Sequence, residues 1–431
     1  MRTWNNLVVG LAATLVSGTS VAGNVTYEVY FPPTLATMDI NGSMGANTAR
    51  SFMGAARMSI QAFKNVVPPD ENSILGSCRA YTPSPNYWPE SCNPDGMKSA
   101  LSNGGWGSWI SSIYSETQQA AALSQQIGTL RSYRSPNIVP IYGQGDHWVM
   151  VHKMVVDDVT NNVVGVVFRD GGPAGDWDSS FNSYDDGQRS ASGATWSTTY
   201  YRVLTSIGPS DTYYNKYVVL WDPPPNSPPS DVQPYRAKEP VSPLPRGQRS
   251  TARLAQQNAI ESLRLGGLDA TDAEMWSVLS QATPWHPYEV HGVYPDGSEW
   301  NYYLVPFLDS RRMLVGMAML DKETAAYQQA WVLPQARRFT GVDHSQARGL
   351  AQSHAGLKGD ETLDEGILTW DPSTDGSVSR SPMRPYYEFR VKGPNGEDRG
   401  SVAVRLDSGN THRVSPCKVS RRAARSLSCA E

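Results

Sequence analysis

The chain has 431 residues, of which 39% are hydrophobic and 18% charged, and a formal net charge of −4 from 37 basic and 41 acidic residues. That length exceeds one ordinary core and points to two or three domains. The globular composition excludes a largely disordered chain, and the weak negative charge excludes a polybasic binder of nucleic acid or anionic membrane.

The N-terminus reads MRTWNNLVVGLAATLVSGTSVAGN. Arg2 precedes an apolar run from Leu7 to Val16, and the small residues Ser20 and Ala22 follow. This pattern predicts a secretory leader over 1–22, cut after Ala22. The apolar run is about half of the roughly 20 residues needed to cross a bilayer. A secreted or periplasmic protein with no membrane span after leader removal is expected. Cysteine usage agrees, because the four cysteines fall into two local pairs, Cys78 with Cys92 and Cys417 with Cys429. In an oxidising compartment these read as two disulfides, although four cysteines permit three connectivities. Neither pair has zinc or redox spacing, and no metal or other cofactor is expected.

Residues 23–221 form the first expected domain. Val25–Phe31 alternates like a strand. Thr48–Val66 places Phe52, Ala55, Ala56, Ile60 and Phe63 at helical spacing. Residues 76–109 are rich in Gly, Ser, Pro, Asn and Trp and read as a long loop region closed by the first disulfide. A polar helix over Ser115–Ile127 follows. Strands are expected at Asn137–Tyr142, His147–Val156, Val163–Arg169, Thr199–Leu204 and Tyr217–Trp221. Helices followed by antiparallel strands make an α+β domain.

Proline density over 222–250 predicts a semi-rigid linker. Beyond it, 251–341 and 342–431 read as two α+β repeats. Each opens with a helix, Thr251–Leu265 and Ser345–Leu357, and continues into a meander. Tyr302–Tyr303 matches Tyr386–Tyr387, and Met317–Asp321 matches Val402–Asp407 approximately.

The chemistry concentrates in GDHWVMVHKMVVDD at 145–158 and VVGVVFRDGG at 163–172. His147 begins one expected strand and Asp170 ends the next. An antiparallel pairing would let the carboxylate orient the imidazole as a base. Ile138, Pro140, His147, Trp148, Val149, Val151 and Asp170 together resemble bacterial papain-like cysteine peptidases, closest to the bacteriocin-processing type. The helix TARSFMGAARMSIQAF resembles that family's nucleophile helix and, aligned on Met58, sets Ser51 where the cysteine would stand. The resemblance implies a papain-like fold with His147 as base and Asp170 as orienter. It also implies that the nucleophile is missing, because 41–57 holds no cysteine and the upstream stretch NGSMGANTAR lacks the family's oxyanion glutamine. A serine hydroxyl ionises far less readily than a thiol. The expected product is therefore a pseudo-peptidase that binds a polypeptide or cell-envelope partner. Two alternatives stand beside it: an active thiol peptidase using Cys78 with His147 and Asp170, and a structural or interaction protein in which His147 only packs.

The aromatic residues Trp106, Trp109 and Trp148, with Tyr87 and Trp88, would either line a substrate cleft or pack under the long loop. His152 reads as a sheet-surface histidine on the face opposite His147. His286 and His291 fall on opposite faces of a strand, which argues against a metal site. Asp176, Asp178, Asp185 and Asp186 read as a solvated acidic loop without EF-hand spacing. The repeats loosely resemble tandem PepSY-type or cystatin-like modules, through VPF…MLDKET and FRV…VRLDSG, which implies protein binding and no chemistry.

Overall fold

A computed structural model describes residues 23–29, 51–64, 71–81, 92–145, 147–169, 188–223, 235–294, 297–339, 341–371 and 382–414. Residues 1–22 with the expected leader, Tyr87, Trp88, Asp170, the acidic residues at 176, 178, 185 and 186, Cys417 and Cys429 lie outside the described residues. The protein is mixed α+β, with one large and mostly antiparallel sheet.

The first half contains β1 (Asn24–Glu28), α1 (Ser51–Lys64), α2 (Glu71–Tyr81), α3 (Pro94–Asn103), β2 (Ile110–Ser115), α4 (Gln119–Gly128), β3 (Asn137–Pro140), β4 (Trp148–Asp157), β5 (Asn162–Arg169), β6 (Gln188–Ser192), α5 (Gly193–Thr195), β7 (Lys216–Trp221) and β8 (Arg236–Ala237). The second half contains α6 (Ala252–Leu265), α7 (Leu268–Thr271), α8 (Ala273–Leu279), β9 (Thr283–Pro284), β10 (Tyr288–Val293), β11 (Glu299–Leu308), β12 (Met313–Asp321), β13 (Tyr327–Arg338), α9 (His344–Ala355), β14 (Thr362–Leu363), β15 (Ile367–Trp370), β16 (Tyr386–Lys392), β17 (Asp398–Arg405) and β18 (Thr411–Val414). Among the described residues no helix is long and apolar enough to cross a membrane.

Strand pairing runs without a break through β2–β7–β3–β4–β5–β6 and on through β13–β12–β11–β10 to β15–β16–β17–β18. The β6–β13 step joins residue 191 to residue 329. The described part of the proline-rich stretch, 235–250, runs beside this junction. Ala237 pairs parallel with Val163, Ser242 Oγ donates to Thr324 O at 2.6 Å, and Ser250 N donates to Glu323 O at 2.8 Å.

Sheet register sorts the side chains onto two faces. Ile138, Trp148, Met150, Val218 and Leu220 meet α1, α2 and α3. Val139, Val149, Val151, Val219 and Trp221 point the other way, onto α4. In the second half, Tyr303, Val305 and Phe307 pack on α6 and α8. Followed through the parallel β10–β15 pair, the register puts Tyr387 and Phe389 on the face of Tyr302, opposite Tyr303. Tyr387 and Phe389 pack with Ala347, Ala351 and Ala355 of α9. The two helix-plus-meander halves therefore present α6 and α9 to opposite faces of one sheet. Parallel pairing of their first strands forces this, because the sheet then grows outward from β10 and β15 in opposite directions.

Local signals explain the helix ends. Thr251 and Asp343 cap α6 and α9 by accepting from Leu254 N and Gln346 N, and Gly356 ends α9 in the left-handed region at φ 55°. Three expectations need correction. Residues 76–109 are not one loop, since α2 and α3 occupy much of the stretch. Asn93 caps α3 by accepting from Gly96 N at 2.9 Å, with Pro94 at the first helical position. Thr199–Leu204 is not a strand, because Trp196–Tyr200 forms a wide helical turn that then runs into loop. Finally, His152 sits at a β-bulge in β4 and lies in the interior, 2% exposed, not on the sheet surface, since both faces of β4 are packed over.

Candidate functional site around His147

β3 and β4 are joined by a tight connection that fixes His147. Ile141 N donates to His147 O at 2.9 Å, and Tyr142 N donates to Tyr200 O at 2.7 Å. Gly143 O accepts from Thr205 N and Ser206 N, while Ser206 Oγ receives Gly145 N at 3.0 Å. Gly143 turns the chain at φ 73°, and Tyr142 before it is held at φ 59°, a region that costs a non-glycine residue of order 1–3 kcal/mol. Packing holds Tyr142 there. Its ring lies 5.5 Å from the His147 ring, 5.0 Å from Tyr200 and 4.8 Å from Trp370.

His147 is completely buried. By alternation it shares a face with Val149 and Val151, the face of α4, whereas Trp148 faces α1. Trp370, at the end of β15, comes from the helix-plus-meander unit built on α9, and its ring packs on that of Tyr142 in the loop leading to His147. Trp300 extends this packing, with its ring 5.5 Å from Trp370 and 6.3 Å from Tyr200. Arg202 adds a cation–π contact 4.1 Å above Tyr294. Aromatic packing between the two halves had no signal in the sequence beyond the abundance of Trp and Tyr.

The remaining expected site residues are distributed as follows. Ser51 is the first residue of α1, and its side chain lies outside the described residues, as does all of Asp170. Trp148 is fully buried, donates Nε1 to Gly145 O at 2.7 Å and meets Phe52 of α1 edge-on at 6.0 Å. Trp109 is 5% exposed and donates Nε1 to Trp106 O at 3.1 Å, while Trp106 is half-buried against Gly104, where a side chain would collide with its ring. Cys78 lies within α2, not in a loop, and is bonded to Cys92.

On β4, five residues beyond His147, His152 has a strongly perturbed titration. Burial, then the charges of Arg169 and Lys153, push its pKa down to about 3. It is neutral in the folded protein near neutral pH, and the surface position expected for it fails because helices cover both faces of β4.

No known protein family matches the chain, and no curated protein matches it. Among solved structures, the C-terminal domain of Bacillus megaterium YpeB is similar at 9% identity, over 70% of this chain and 96% of that one, with a TM-score of 0.16. A likeness of that strength carries no argument about fold or function.

Proposed function

We propose that this chain is an exported, papain-like pseudo-peptidase that binds a polypeptide or cell-envelope partner and does not cleave it. The observation that carries the reading is the burial of His147 beneath Tyr142, whose ring is in turn covered by Trp370 of the second repeat. A general base must reach the proton it abstracts, directly or through one water. A fully buried imidazole with the Tyr142 ring beside it offers no such approach. The bond between Cys78 and Cys92 also weighs against the thiol-peptidase alternative, since a nucleophile must be a free thiolate. Papain-like ancestry, PepSY-like character of the repeats, and the roles of Ser51 and Asp170 belong to this proposal.

The experiment is a hydrolysis assay of the purified chain on an unfolded polypeptide, with and without reductant, beside His147→Ala. The expected result is background cleavage in all samples. Cleavage that requires reductant and disappears in His147→Ala would overturn the proposal in favour of a thiol peptidase.

A further inference from the structure

We infer that the Ala22–Gly23 peptide bond is a processing site whose cleavage creates a structural ion pair, the new Gly23 ammonium seating on the Asp158 carboxylate and pinning the first strand. The inference rests on the reading of the chain as exported.

Gly23 directs both backbone polar groups at Asp158. Its nitrogen lies 2.9 Å from Asp158 Oδ1, and its carbonyl accepts from Asp158 N at 3.1 Å. From there β1 runs antiparallel to β4, from Asn24 opposite Asp157 to Glu28 opposite Lys153. Its C-terminal end is anchored, since Tyr27 packs on the core, Val29 is buried and donates to His152 O at 2.8 Å, and Glu28 pairs with Lys153 at 3.5 Å; toward Gly23 four of the strand's five residues are exposed. A strand with few buried apolar contacts opens readily, so the bond at its free end matters.

The neighbouring carboxylate is already committed. Asp157 Oδ1 accepts from Val159 N and Thr160 N, and these bonds hold its pKa below the usual range. Asp158 is the carboxylate turned toward Gly23. While the leader is attached, the Gly23 nitrogen is a neutral amide with one N–H. A membrane-bound leader peptidase adds the elements of water across the bond, leaving a carboxylate on Ala22 and an amine on Gly23. An α-amine has a pKa of about 7.7–8.0 and is cationic at neutral pH. The amide–carboxylate contact thus becomes an ammonium–carboxylate pair, a stronger class of hydrogen bond. Leader removal and locking of β1 become one event, which ties completion of the sheet edge to export.

The test begins with mass spectrometry of the exported chain, for which an N-terminus at Gly23 is expected. Hydrogen exchange of the β1 amides is then compared between that chain and one acetylated at Gly23, each with Asp158 or Asp158→Asn. The free amine should slow exchange by about two- to fivefold, the range of an exposed ion pair, and Asp158→Asn should abolish the difference. A different N-terminus overturns the processing site. A Gly23 N-terminus with equal exchange in the free and acetylated chains overturns the ion pair while leaving export standing.

Discussion

The rings of Tyr142 and Trp370 meet edge to face with centroids 4.8 Å apart, and this contact joins the loop before His147 to the end of β15 in the second half of the chain. It lies in a continuous aromatic layer that also holds Tyr200, Trp300 and Tyr302. Such pairs contribute about 0.5–1.5 kcal/mol each beyond the area they bury. The layer therefore ties the second half of the chain to the loop before His147.

Trp370→Ala should remove a fully buried indole and lower stability by about 3–5 kcal/mol. Chemical denaturation measures the loss. If the second repeat closes the His147 face, the same variant should also raise the reactivity of His147 toward diethyl pyrocarbonate, detected by peptide mapping.

His152 predicts an acid-sensitive stability. Its folded pKa of about 3 lies below its unfolded value of about 6.5, so the unfolded chain takes up a proton that the folded chain refuses. Stability is complete above about pH 6.5 and falls by about 1.4 kcal/mol for each pH unit below it, until the folded value is reached. Denaturant melts between pH 7 and pH 5 avoid the range in which Asp157, Asp309 and Glu361, all held below normal, are protonated. His152→Leu should flatten the slope in that window.

Opening the Cys78–Cys92 bond frees a 14-residue separation and releases the link between α2 and the residue preceding the α3 cap. The Cys78→Ala, Cys92→Ala double variant should be less stable by roughly 2–4 kcal/mol. It should show no gain or loss of hydrolysis, measured on the same polypeptide substrate.

Asp407 is a buried anion shared by two buried guanidiniums. Arg405 Nε lies 3.0 Å from Oδ1, and Arg384 Nε lies 3.2 Å from Oδ2. Asp407→Asn should cost about 3–5 kcal/mol, because it removes the charge that compensates those cations. A thermal melt compared with the parent chain measures it. Asp321, the matching residue of the helix-plus-meander unit built on α6, instead closes its own turn by accepting from Thr324 N at 2.8 Å, so Asp321→Asn should be far milder.

Much of the local fold was legible. The strands around His147 and Val163, the helices from Ser51, Ala252 and His344, and the shared helix-then-meander order all carry period-2 or period-3.6 apolar patterns. The misses have physical causes. α2 and α3 are built from small and polar residues, and only Asn93-Pro94 marked a helix start. Thr199–Leu204 has strand propensity, but the backbone of Tyr200 and Tyr201 is spent on a helical turn and on Tyr142. The burial of His152 was missed because both faces of β4 are covered, and alternation within one strand does not show what packs on either face. Around the site, the sequence singled out His147 as a base candidate but gave no sign that Trp370, more than 200 residues later, would reach the loop beside it. Pairing of β6 with β13 and of β10 with β15 is non-local, and no periodicity within a strand encodes its distant neighbour.

Closure over His147 is tested most directly by deuterium exchange at the histidine ring carbon between the two nitrogens, read by mass spectrometry on native protein. His286 and His354 are exposed and serve as internal references. The closed arrangement predicts that His147 exchanges many times more slowly than both. Exchange of His147 at the rate of those references would contradict it, and would reopen the imidazole as an accessible base.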